Sequence, residues 1–128
     1  MNIVSKAQEW TTCYEFLVKN QERLVSDSLK KVLPLFPVAQ NSQDVFNENI
    51  LTQLRWVSAC LKHGHTISLD VSRFDLEDTG LRKEKEIYFA CLNELRTLLS
   101  GTSLTSYQKQ VLIDRIDDLR SQYQAREG

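Results

Sequence analysis

Apolar residues recur along most of this chain at steps of three and four, the spacing that lines one face of an α-helix. Val4, Ala7, Trp10, Tyr14, Leu17, Leu24, Leu29 and Val32 predict a first helix from about Ser5 to Leu33. Gln21 holds the apolar slot between Leu17 and Leu24, a point where so long a helix could break. Glu15→Lys19 and Asp27→Lys31 are acid-before-base pairs one turn apart, each worth a few tenths of a kcal/mol on an exposed face. Pro34 and Pro37 end the segment, because proline has no N–H to give and pushes the preceding residue out of α geometry.

A second stripe of Phe46, Ile50, Leu54, Val57 and Leu61 predicts a helix over about Ser42 to His63. Asn41 or Ser42 can cap it, Asp44 and Glu48 favour the positive end of its dipole, and Gly64 suits the left-handed position past its end. From Thr66 to Thr79 the pattern changes. Ile67, Leu69 and Val71 alternate with polar residues, and Phe74 and Leu76 continue out of register. An extended segment or an irregular helix would both fit, and a short helix or loop is preferred because a lone strand has nothing to pair with.

Helical spacing returns with Leu81, Tyr88, Cys91, Leu92, Leu95 and Leu99, predicting a third helix from near Thr79 to Ser100, with Gly101 beyond it. The run Thr105-Ser-Tyr-Gln108 has the form of a capping box, in which hydroxyl and amide each bond the other's backbone N–H. Leu112, Ile116, Leu119 and Tyr123 carry the stripe of a fourth helix, with Ala125 to Gly128 expected to fray. Four amphipathic helices with short connections give an all-α fold: an antiparallel four-helix bundle with one irregular link, a single domain over 1–128.

Composition supports that picture. A chain of 128 residues with 41% hydrophobic and 26% charged residues has the size and make-up of one globular domain. Four glycines and two prolines are too few punctuators for a many-stranded β protein. Sixteen basic residues against 17 acidic ones give a net charge of −1 and no clustered positive surface, so nucleic acid is not an expected partner. The opening MNIVSKAQEW has no basic head or apolar run of a signal peptide, and no stretch approaches about 18 apolar residues. A cytoplasmic protein, not membrane-bound, is expected. Cys13, Cys60 and Cys91 lack framework spacing and read as reduced thiols.

Candidate chemistry is sparse. Cys60-Leu-Lys-His63-Gly-His65 is the one cluster with metal-ligand character, but a structural zinc site needs a second pair that the chain does not supply. The blander reading packs Cys60 as a small hydrophobe and leaves the histidines at an exposed helix end. No phosphate loop, GxSxG elbow, HExxH or ExxH motif occurs, and Arg55 and His63 are too far apart for an R-x-x-x-H ribonuclease pair. No enzyme, cofactor, metal or small-molecule substrate is therefore expected. Asp70, Asp75, Glu77 and Asp78 form an acidic cluster around Arg73 and Phe74. It reads either as a solvated loop or as a surface suited to a basic cleft on another protein. Asp114, Asp117 and Asp118 make a second strip, read as a wet helix face. Trp10 is expected in the core, whereas Trp56, beside the Leu54/Val57 stripe, fits the core edge or a binding hot spot.

The run Gln53-Leu-Arg-Trp-Val-Ser-Ala-Cys-Leu61, then Thr66-Ile-Ser-Leu69, then Phe74-Asp-Leu-Glu-Asp-Thr-Gly-Leu81 resembles small helical immunity proteins that guard bacteria against type VI secreted NAD-degrading effectors. The resemblance covers roughly Gln53 to Leu95. It departs in having Arg73 where that family tends to an acid, a shorter link and a longer first helix. It implies a protein that binds and occludes a cognate toxin domain, and Asp70, Arg73, Phe74, Asp75, Glu77 and Asp78 are the candidate partner-binding residues. The alternative is a cytosolic secretion chaperone or regulatory adaptor, which would expose an apolar groove for a client segment.

Overall fold

The structure, a computed structural model, describes residues 6–36, 43–64 and 85–127, with side chains described as far as 121 and none for Lys85. It is an all-α helical bundle. Helix α1 spans Lys6–Val32, α2 Gln43–His63, α3 Lys85–Ser100 and α4 Ser106–Glu127, with a single 3₁₀ turn, Leu33–Leu35, following α1. Among the described residues there is no strand. One hydrophobic cluster draws on all four helices, so the described helices share a core.

α1 is unbroken through Gln21. Glutamine is a good helix former, and burial of Leu17 and Leu24 on either side holds the helix against the core without a buried apolar residue between them. Pro34 enters at the start of the 3₁₀ turn, where a missing N–H costs no hydrogen bond. Phe36 N–H then closes the turn on Leu33 O at 2.9 Å. α2 ends as expected: Gly64 sits at φ 76°, the left-handed region that penalises a Cβ, and its N–H bonds Cys60 O at 3.0 Å. At α4 the capping box forms in both directions. Thr105 N–H donates to Gln108 Oε1, and Gln108 N–H donates to Thr105 Oγ1, each at 3.1 Å.

α1 is the hub. It packs against α2, α3 and α4, whereas α2 and α3 pack on each other less closely than either packs on α1. A helix surrounded on several sides must bury more than one stripe, which is why Cys13, Val25 and Ser28 join the predicted Trp10, Leu17, Leu24, Leu29 and Val32. Ala7 was expected inward and is exposed, and Tyr14 is only half-buried. The link 37–42 can reach at most about 25 Å, less than the roughly 31 Å length of α2. A link of that reach excludes a parallel pair with α2 in full register along α1 and fits a chain that doubles back. α3 and α4 are antiparallel too: Lys109 Nζ donates to Ser100 O at 2.9 Å, Arg96 Nε lies 3.3 Å from Asp117 Oδ1, and Arg120 donates to Asn93 Oδ1 at 3.1 Å. The Lys109 ammonium thereby serves the C-terminal end of α3, whose own last turn has no basic residue.

The stripes of α2, α3 and α4 are buried as expected at every described position, from Phe46 to Leu61, Tyr88 to Leu99 and Leu112 to Leu119. Two end-points differ or fall outside. α4 keeps helical geometry to Glu127, where fraying was expected, and the predicted start of the third helix near Thr79 lies outside the described residues. The side-chain pairs Glu15/Lys19 and Asp27/Lys31 are not among the ion pairs that form between described residues. Holding two long exposed side chains together costs about as much entropy as the contact returns.

Candidate partner-binding segment and its framework

The candidate residues Asp70, Arg73, Phe74, Asp75, Glu77 and Asp78 lie outside the described residues, as does the expected helix or loop over 66–78. The described structure supplies the two helices between which that segment is tied. On the α2 side, Lys62 and His63 occupy the last turn and are exposed, a placement that suits positive charge near the helix C-terminus. On the α3 side, Glu86 stands exposed in the first turn, where negative charge is favoured.

Between these ends a polar contact joins the helices in the core. The Tyr88 hydroxyl on α3 donates to Gln53 Oε1 on α2, and both side chains are fully buried. Where α2 and α3 pack loosely, this bond ties them side chain to side chain. A buried amide is costly unless it is hydrogen-bonded, so the pair also fixes which face of each helix turns inward. Two further buried hydroxyls are satisfied locally, Ser28 on Val25 O and Ser58 on Leu54 O.

The Cys60 thiol is buried in the core, and His63 is exposed at the helix end. Among the described residues no group of three or more His, Cys, Asp or Glu is placed to hold a metal ion. All three cysteines are buried and none forms a disulfide. Burial, aided by the nearby Glu9 carboxylate, raises the Cys13 thiol from 9.0 to about 11. Burial and Glu94 raise Cys91 to about 12. A thiol held protonated in this way is a poor nucleophile near neutral pH. Cys13 Sγ instead donates to Gln108 O at 3.5 Å, joining α1 to the first turn of α4.

The acidic strip of α4 is engaged within the bundle. Asp117 pairs with Arg96, Asp118 with Arg115 at 3.0 Å, and Asp114 accepts from Gln110 at 2.7 Å. Trp10 is buried, as expected, and Trp56 lies partly buried at the core edge. What the sequence did not announce is the setting of Trp10. Lys6 Nζ lies 5.0 Å and the Arg115 guanidinium 5.2 Å from its ring centroid, and the buried indole N–H has no hydrogen-bond partner. Arg115 comes from a helix distant in sequence, so no local spacing could have paired it with Trp10. Gln53 did carry a signal, since a polar residue three after Ile50 and four before Val57 stands on the buried stripe and needs a partner there.

No protein-family model, curated protein or solved structure matches the chain. No helix among the described residues is long and apolar enough to cross a membrane.

Proposed function

We propose that this chain is an immunity protein of the bacterial cytoplasm that neutralises a cognate secreted toxin domain by binding and occluding it. The resemblance over Gln53 to Leu95 is the origin of this reading. The observation that carries it is the buried Tyr88–Gln53 bond, which joins α2 and α3, the two helices of the resembling stretch, within one core. In this reading Asp70, Arg73, Phe74, Asp75, Glu77 and Asp78 face a basic cleft on the toxin. Their charge steers association and Phe74 supplies the apolar anchor. The role needs no catalysis, cofactor, metal, nucleic acid or membrane. The buried, strongly protonated Cys13 and Cys91 thiols fit a protein that acts by contact.

A secretion chaperone or adaptor is the second reading. Leu35, exposed to 73%, and Val45 favour it, since both flank the link 37–42 and offer apolar surface at one end of the α1–α2 pair. The two readings separate in one experiment: co-expression with a toxin encoded beside this gene. Wild-type protein should protect the cells and co-purify with the folded toxin domain. The triple variant Asp75→Lys/Glu77→Lys/Asp78→Lys should keep the helical circular dichroism signal and melting temperature yet lose protection. Protection at wild-type level by that variant removes the acidic segment from the contact surface. Binding only to an unfolded client, abolished by Leu35→Asp, favours the chaperone.

A further inference from the structure

We draw no further inference here: the strongest candidate, the Lys6–Trp10–Arg115 stack where α1 meets α4 with a buried indole N–H that lacks a hydrogen-bond partner, carries nothing because nothing in the structure shows what ligand that nitrogen would meet.

Discussion

Tyr88 and Trp10 are both aromatic, both buried and each carries one polar hydrogen, yet the bundle accommodates them in different ways. The Tyr88 hydroxyl is bonded to Gln53 across the loosely packed α2–α3 pair. The Trp10 N–H has no such partner, and its ring lies beneath Lys6 and Arg115 where α1 meets α4. In one region a directional bond sets helix position. In the other, buried area and the attraction of cations to a π-face hold the contact without fixing a hydrogen-bond geometry. The two buried polar aromatics thus make different contacts: a directional hydrogen bond at α2–α3 and a cation–π contact at α1–α4.

A thiol stands one turn beyond each aromatic, Cys13 after Trp10 and Cys91 after Tyr88, so each region has its own chemical reporter. The largest effect concerns their reactivity. At pH 8 a thiol of pKa 9.0 is about one-tenth thiolate, whereas values of about 11 and about 12 leave about 10⁻³ for Cys13 and 10⁻⁴ for Cys91. Ionisation alone should slow alkylation about 100-fold at Cys13 and about 1,000-fold at Cys91 relative to the unfolded chain. Peptide-resolved mass spectrometry checks this. Equal rates in the folded and denatured protein would show that neither region is sealed. Because both folded values lie above 9.0, the thiols leave stability untouched below that pH. They erode it as the pH rises toward 11 and 12, where the unfolded chain ionises first.

Next in size is removal of the α1–α4 anchor. Trp10→Ala deletes a side chain that is only 7% exposed and strips two cations of their ring. A loss of about 3–5 kcal/mol is expected from buried aromatic truncations, read as a fall in the urea midpoint. A loss below 1 kcal/mol would mean that the α1–α4 contact contributes little to the core.

Tyr88→Phe tests the other region with a single-atom change. It withdraws the donor from Gln53 Oε1 while keeping the ring, and should cost about 1–3 kcal/mol through the amide left short of a partner. Adding Gln53→Leu removes the acceptor of the same bond, and the pair should show a coupling of about 1 kcal/mol or more in a double-mutant cycle. Additive losses would show that the two groups act independently and that the bond does not set the α2–α3 contact.

This contrast also marks what the sequence could reveal. Helix identity was legible because Phe46, Ile50, Leu54, Val57 and Leu61, or Leu112, Ile116 and Leu119, depend only on local periodicity. So were Gly64 and the Thr105/Gln108 box, whose bonds close within four residues. Burial of Cys13 and Val25 was less legible, because it follows from α1 being the hub, a fact of tertiary arrangement. Gln21 was read as a polar residue in an apolar slot, yet it is Gln53 that is fully buried. Its partner Tyr88 lies in another helix, and no spacing rule pairs them. The candidate site residues Asp70 to Asp78 were picked by charge density, which speaks to solvation and to partners but not to fold.

The smallest effect sharpens the comparison most. Trp10→Phe is the counterpart of Tyr88→Phe: each removes the polar hydrogen and leaves an aromatic ring. At Tyr88 that hydrogen is bonded, so its loss removes a hydrogen bond. At Trp10 it is buried and unpaired, so its loss relieves a desolvation penalty of about 1–3 kcal/mol. Against that relief stand the smaller ring, which leaves a cavity, and a weaker π-face beneath Lys6 and Arg115. The opposing contributions are of similar size, and the net change should fall within about 1 kcal/mol of zero by urea denaturation. Cys13 should also stay shielded in this variant, because its own bond to Gln108 O does not involve the indole. A loss above about 2 kcal/mol would show that the indole nitrogen contributes favourably where it stands. Trp10 would then belong, with Tyr88, among the residues whose polar atom sets helix position.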